Sequence, residues 1–461
     1  MQRNPWERRD QKYEGSRLYR WLDDRLNLED TFLGKAFPED RYSSFLLGEV
    51  ALFTFVILAI TGTFLGLLYH PSVEKVKYTG NVAQFAGQKV PAAYASVLHI
   101  TYDYPFGMFI RMMHHWAAYL FISAMGLHML RIFFTGAYRN PREPNWLIGS
   151  TLLLTGLVEA FMGYALPYDN FSATATNIGF AMTGAVPVLG PILKNLVFGG
   201  DFPGDAAAVL PRMFFLHVFL VPAVIAGLIG AHLFLLIRQK HTEDPGASRA
   251  SPEAPPKEDD SVVVGIPLVP NQAAITMIVF LLVAATLSFL AALFPVQNVI
   301  ATGPTNTTTT PAGVGPDWYF MWVFGFLKLM PSKVFGISSR LIGGVILPTI
   351  TILLLVGWPF IDRHVGQVHY TANPLKRPKQ TAVGVGAISF IIMLSVAGMN
   401  STVADLLNTT PGAINTWLIV LTVGIPILEG LIVYYTLSSS MEKGGRPAPA
   451  GAAQTAGSDD D

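Results

Sequence analysis

An all-α integral membrane fold of about eight spanning helices is what this 461-residue sequence predicts, on three observations. Hydrophobic residues make up 51% of the chain and charged residues 13%, where soluble domains carry about 25% charged residues. Eight apolar runs are long enough to cross a bilayer as helix, which takes about 20 residues. Four of the ten histidines fall inside two of those runs, at matched spacings.

The runs are Leu46–Tyr69, Met108–Phe134, Trp146–Leu166, Met213–Ile237, Ala273–Phe294, Leu341–Ile361, Ala382–Met399 and Ile414–Leu437, the seventh being the shortest. Residues 1–45 are charged and lack the apolar core of a signal peptide, so the first run is expected to be a span and not a cleaved leader. Within them, Ser16–Leu33 alternates Leu, Tyr and Trp with Arg and Asp, the pattern of an amphipathic helix lying in the interface. A polar, Pro-rich linker at 241–262 separates a four-helix half (46–240) from a second four-helix half (263–437). The Gly/Ala/Pro-rich tail, 438–461, is expected to be disordered. Of the 31 Lys and Arg residues, 22 fall on the side of the N-terminus, which predicts a cytoplasmic N-terminus.

The formal net charge is zero and no basic stripe stands out, which argues against a nucleic-acid partner. There is no cysteine, which excludes disulfides, thiolate metal sites, iron–sulfur ligation and thioether attachment of a cofactor. Any redox group must be held by histidine or non-covalently.

His114 and His128 lie 14 residues apart in the second run, and His217 and His232 lie 15 apart in the fourth. At roughly 100° per residue, 14 returns to within about 40° of the start and 15 overshoots by about 60°, so each pair faces one side of its helix. His115 would lie about 140° from His128 on the same count, which makes His114 the better ligand. The second and fourth runs cross in the same direction. His114 therefore shares a depth with His217, and His128 with His232, the two levels being about 21 Å apart. Two imidazoles at each level are what a six-coordinate haem iron requires, and filled axial positions suit electron transfer over oxygen binding. A single membrane histidine is as often a helix–helix hydrogen bond, but polar groups in lipid are costly and four in register point to ligation.

Gly48 and Gly62 in the first run, and Gly149 and Gly163 in the third, repeat the 14-residue spacing. A glycine at each level would let a flat macrocycle approach the backbone, although small-residue helix packing explains glycines equally well. Arg111 and Arg131 stand three residues outside His114 and His128 and could pair with haem propionates. For Arg131, the positive-inside bias is an equal explanation.

Taken together, Arg111-Met-Met-His114 with His128, Gly163-Tyr-Ala-Leu-Pro167, Ala185-Val-Pro-Val-Leu-Gly190 and Pro316-Asp-Trp-Tyr319 resemble the cytochrome b family of Rieske–cytochrome bc complexes. The likeness runs through nearly all eight spans. It implies a dihaem four-helix bundle, a quinol-oxidising pocket at the outer face, a quinone-reducing pocket at the inner face, and the plasma membrane of a bacterium. Ala185–Gly190 resembles the family's helix beneath the quinol pocket. The wider spacing of His217 and His232, with the linker, resembles the form split in chloroplasts and fused in many Gram-positive bacteria. That form attaches an extra haem through a cysteine near the start of the first span. Here Leu46 stands thereabouts, so only two non-covalent b haems are expected.

The resemblance further implies a quinol:cytochrome c oxidoreductase subunit that works with a Rieske iron–sulfur protein and a cytochrome c subunit, in a homodimeric complex surrounded by lipid. One quinol electron would go to the Rieske protein and the other across the membrane to quinone, coupled to proton translocation. Asp317, with Tyr319 as hydrogen-bond partner, is the first candidate for quinol's proton acceptor. The family motif usually has Glu there, so the side chain is one carbon shorter, and an N-cap after Pro316 is the alternative role. Glu159, four residues before Gly163, is the second candidate, because an unpaired carboxylate inside lipid is expensive. Its alternative role is a hydrogen bond to a neighbouring helix. Phe161, Tyr164, Pro167, Pro316 and Trp318 are expected to line the outer pocket. Arg238, Lys240 and His241 are candidates at the inner one, or a cytoplasmic anchor. Glu49 and Glu429 have no assigned role. Two other classes remain open at this point: a dihaem anchor of a dehydrogenase or hydrogenase, and a cofactor-free transporter. The first would have fewer spans and no Pro316–Tyr319 segment, and no inverted repeat favours the second.

Overall fold

A computed structural model describes residues 46–239, 270, 272–306, 315–363 and 374–444. Ser16–Leu33, the linker 241–262, Lys240 and His241 lie outside the described residues, as does the side chain of Arg238. Eight helices among the described residues are long and apolar enough to cross a membrane: Leu47–Leu68, Gly107–Thr135, Glu143–Ala165, Ala206–Leu236, Ala273–Leu293, Ser339–Val356, Pro378–Gly398 and Pro411–Ser440. All eight expected spans are present. The connections add shorter helices that hydropathy does not reveal, Ala92–Tyr102, Asn170–Gly184, Gly190–Val197 and Met321–Leu329, and two small antiparallel hairpins.

Several features differ from expectation. The seventh span starts at Pro378, because polar Lys379 and Gln380 join its first turn, so the shortest span is the sixth with 18 residues. The fourth starts at Ala206, with Pro211 inside it, seven residues ahead of the apolar run. The last helix runs on to Gly444, so residues 438–444 are helical and not part of a disordered tail. Ala185–Leu189 is a turn between two helices and not itself a helix. Pro187 disfavours helix at Val186, and Val188 adopts a left-handed φ of 64°.

The first span packs against the second and the third against the fourth. The fifth leans on the first and second, where Gln272 and Thr276 donate to the Glu49 carboxylate at 3.0–3.2 Å. The seventh packs on the eighth and on Met321–Leu329. That helix comes close enough for a Cβ on Gly325 to collide with the Leu394 main chain, the small-residue contact expected where lipid gives helices no hydrophobic drive to associate.

On the side of His128 and His232, one polar cluster ties the second span to the sixth and seventh. Arg377 Nη1 caps the carbonyls of Phe133 and Phe134 at 3.2 and 3.4 Å, while Nη2 reaches Asp362 at 2.8 Å and Tyr138 at 3.1 Å. Tyr138 and Gln380 both donate to Asp362, and Trp358 donates to Tyr138. Opening a buried pair from one side costs about 3–5 kcal/mol. Arg377→Met is therefore expected to lower the thermal midpoint of the purified protein markedly, whereas Lys333→Met, on an exposed hairpin, should leave it unchanged.

Candidate haem and quinol site

Each expected ligand histidine rests on a glycine of the adjacent span. A Cβ added to Gly62 would lie 3.1 Å from His114 Cε1, and one on Gly163 would lie 2.5 Å from His217 Cε1. Gly48 and Gly149 stand in the same relation to His128 and His232, each at 3.3 Å. What these glycines admit in the structure is thus the imidazole, where the sequence pointed to a macrocycle. The rings meet across the bundle as anticipated: His114 and His217 centroids lie 6.2 Å apart and those of His128 and His232 lie 6.4 Å apart.

The 15-residue spacing does not overshoot. Residues Leu216–Leu220 form a π-turn inside the fourth span, which absorbs one extra residue and returns His232 to the face of His217. His115 instead packs edge-to-face on Tyr119, with ring centroids 4.7 Å apart.

Hydrogen bonds at the first level fix the ring tautomers. Thr61 Oγ1 gives its proton to the Ile57 carbonyl at 2.7 Å, so at 2.9 Å it accepts from His114 Nδ1–H. Glu159 is not unpaired: His217 Nδ1–H donates to its Oε1 at 2.8 Å and to its main-chain oxygen at 3.2 Å. Both rings thereby keep Nε2 as a lone-pair donor.

These residues fit a haem. At each level the two rings face one another with their Nε2 lone pairs free, so that His114 with His217 and His128 with His232 could each hold one haem iron. Among the described residues, no cluster of three or more His, Cys, Asp or Glu could hold a bare ion. Two imidazoles per level suit an iron whose other four ligands come from a porphyrin.

The first level opens into a cavity of about 290 Å³, whose wall includes His114, His217, Glu159 and Arg111, and further along Tyr164, Pro167, Asp317 and Tyr319. Asp317 precedes a short helical turn without capping it; its carboxylate instead accepts from Tyr119 at 2.9 Å and Tyr319 at 2.8 Å. Burial pushes the Asp317 carboxyl above the ordinary carboxylate range, and the two hydroxyl donors oppose this. Tyr119 was not singled out from the sequence. Asp169 braces this region: Thr302 donates to it at 2.7 Å, clipping the connection after the fifth span to the end of the third.

Other expected wall residues sit elsewhere. Phe161 packs against Gly179 and edge-on to Phe320. Trp318 is 48% exposed, edge-on to Tyr319, and neither it nor Pro316 is on the cavity wall. Their motif neighbours Asp317 and Tyr319 turn inward in their place. Arg111 donates to Gln297 Oε1 at 3.0 Å beside the cavity, and Arg131 lies one turn beyond His128.

Two family models cover most of the membrane region: Cytochrome b(N-terminal)/b6/petB at residues 119–304 and Cytochrome b(C-terminal)/b6/petD at residues 304–420. The cytochrome bc1 complex cytochrome b subunit of Corynebacterium diphtheriae is 39% identical over 412 residues, 88% of this chain and 73% of that protein. The chain belongs to the cytochrome b family. The corresponding subunits of Streptomyces coelicolor and Mycobacterium leprae are each 35% identical over 88% of this cytochrome b, and over 74% and 72% of their own lengths. A solved structure titled hyperthermophilic respiratory Complex III shares the fold, with a TM-score of 0.64 at 22% identity over 91% of this chain and 99% of the other. Membership brings b-type haem binding with it, in a multi-pass protein of the bacterial plasma membrane. The fused N- and C-terminal parts set this cytochrome b apart from a dehydrogenase anchor or a transporter.

The glycine contacts yield a spectral prediction. Gly163→Ala forces the His217 ring aside and is expected to diminish the b-type absorbance of the reduced protein. Gly126→Ala, on the second span with nothing within 4 Å of its Cβ position, is expected to leave that absorbance intact.

Proposed function

We propose that this cytochrome b is the quinol-oxidising membrane subunit of a bc1-type respiratory complex, holding two non-covalent b haems and taking quinol's first proton on Asp317. The observation that carries the reading is a single cavity shared by the His114–His217 level and by the Asp317 carboxylate with its two tyrosine donors. His114 and His217 would hold one haem and His128 and His232 the other, with Arg111 and Arg131 placed toward propionates and Gly48, Gly62, Gly149 and Gly163 keeping room for the ligand rings. When bound, haem supplies a one-electron couple at each level, so that quinol electrons can be carried between the faces of the membrane.

The chain's own residues do the rest. Tyr164 and Pro167 wall the cavity beside the quinol ring. Asp317 accepts the proton of a quinol hydroxyl, a role for which a carboxyl held above its ordinary range is better matched to neutral pH. Tyr319 and Tyr119 aim the carboxylate. Tyr119, reaching in from the second span, holds the shorter Asp side chain where the family motif usually has Glu. Glu159 lines the same cavity but pairs with a ligand ring, whereas the Asp317 carboxylate is held by two hydroxyls and by no histidine, and Asp317 is the acceptor in this reading. The first level faces the outside and the second the cytoplasm, together with the N-terminus. Arg238, Lys240 and His241 belong to the quinone-reducing side, and oxidation outside with reduction inside translocates protons. A Rieske iron–sulfur protein and a cytochrome c subunit are the partners in electron flow, in a homodimeric complex.

A reduced-minus-oxidised spectrum with haem stoichiometry tests this directly: two b haems per chain are expected, and one after His128→Ala. A chain carrying no b haem would refute the reading. Asp317→Asn is expected to slow quinol oxidation about 10²–10⁴-fold, the span usual for loss of a general base, with both haems retained. The carboxylate is the working form, so the rate is expected to rise with pH through the raised Asp317 value. Tyr119→Phe removes one of the two hydrogen bonds that lower that value, so the rising limb of the pH–rate profile should move to higher pH.

A further inference from the structure

The four ligand rings are not equivalent. His114 Nδ1 meets a neutral hydroxyl, that of Thr61 at 2.9 Å. His217 Nδ1 meets the carboxylate of Glu159 at 2.8 Å and that residue's main-chain oxygen at 3.2 Å. Among the described residues, no carboxylate reaches Nδ1 of His128 or His232. Two more features converge on the same ring. His217 stands at the start of the π-turn Leu216–Leu220, and Gly163 approaches it more closely than the other three glycines approach theirs. The Glu159 side chain is itself mostly buried, 17% exposed.

From this asymmetry we propose that Glu159 is a positioning residue which, through His217, holds the reduction potential of the first-level haem below what a neutral hydrogen-bond acceptor at that position would give. The proposal rests on the haem reading above and goes beyond it. A carboxylate oxygen drawing on Nδ1–H pushes electron density toward Nε2 and makes that nitrogen a more basic ligand. A more basic axial nitrogen favours ferric over ferrous iron, which lowers the reduction potential, and hydrogen bonding around the ligand is one of the levers by which a protein sets it. Among the described residues, the carboxylate partner occurs at the level that shares its cavity with Asp317 and not at the other. The main-chain oxygen of the same residue fixes the ring plane, so the carboxylate and the orientation of its target are set together.

The test is a potentiometric titration of the whole purified complex, followed by optical difference spectra and by the low-temperature electron paramagnetic resonance of the ferric haems. Glu159→Gln keeps the shape but is a weaker acceptor, Glu159→Leu removes the acceptor, and Thr61→Val removes only the hydroxyl at the opposite ring. The expected result is an upward shift in the midpoint of one b haem, larger for Leu than for Gln and smallest for Thr61→Val. The same haem's ferric signal should move, with the other haem unchanged. Full haem content with both midpoints and both signals at wild-type values in Glu159→Gln and Glu159→Leu would overturn the proposal. Loss of haem from both levels in Glu159→Gln and Glu159→Asp alike would also overturn it, by showing a requirement of the fold. A wild-type complex without two b haems would instead overturn the haem reading, a separate outcome visible before any variant is made.

Discussion

The contact between an imidazole on one span and a glycine on the next constrains more of this protein than any other interaction. A side chain as short as His can present Nε2 to a partner across the bundle only if its ring lies flat against the neighbouring helix. A Cβ at Gly163 would collide with the ring, and one at Gly62, Gly48 or Gly149 would press on it at 3.1–3.3 Å. Four such contacts fix the depth, rotation and separation of the first four spans at once. Lipid supplies no hydrophobic drive for these helices to associate, so close contacts and polar links decide the arrangement. The links beyond the rings are consistent with this. Glu49 holds the fifth span to the first, and Arg377 holds the seventh to the second.

The quinol side is built differently. Asp317 stands on no spanning helix, and its placement depends on two hydroxyls and on the clip between Asp169 and Thr302. A carboxylate carried by a loop can be aimed from several sides, which is what Tyr119 and Tyr319 do from different elements. The cavity joins this flexible kind of construction to the rigid bundle, so one site has a wall for binding and a fixed frame for ligation.

Much of the frame was legible in the sequence, because lipid enforces long apolar runs and penalises every buried polar group. The eight spans and the two histidine levels follow from those rules. Interior helices such as Asn170–Gly184 were not legible, because they are too short and too mixed in composition to stand out by hydropathy. Nor was Tyr119 as the partner of Asp317: the two are 198 residues apart, and no spacing rule links a spanning helix to a loop so distant in the chain. The partner of His217 did leave a trace, since Glu159 lies one turn from the glycine that the ring touches. The sequence showed a costly carboxylate there but not what it was paired with. Phe161 takes the helix-packing role that an aromatic beside a motif offers as readily as a cavity-facing one, and Trp318 turns outward while its neighbours Asp317 and Tyr319 face the cavity.

The π-turn at Leu216–Leu220 bears on how this chain should be compared with its kin. An extra residue accommodated there leaves the ligand at either end facing the bundle and changes only the count between them. Chains whose fourth-span ligands are 14 apart and chains where they are 15 apart can thus hold their iron in the same way. A residue-by-residue superposition of the two kinds needs a single gap inside those five positions. Placed anywhere else, the gap would rotate one half of the helix by about 100° relative to its true counterpart and match lipid-facing side chains to interior ones.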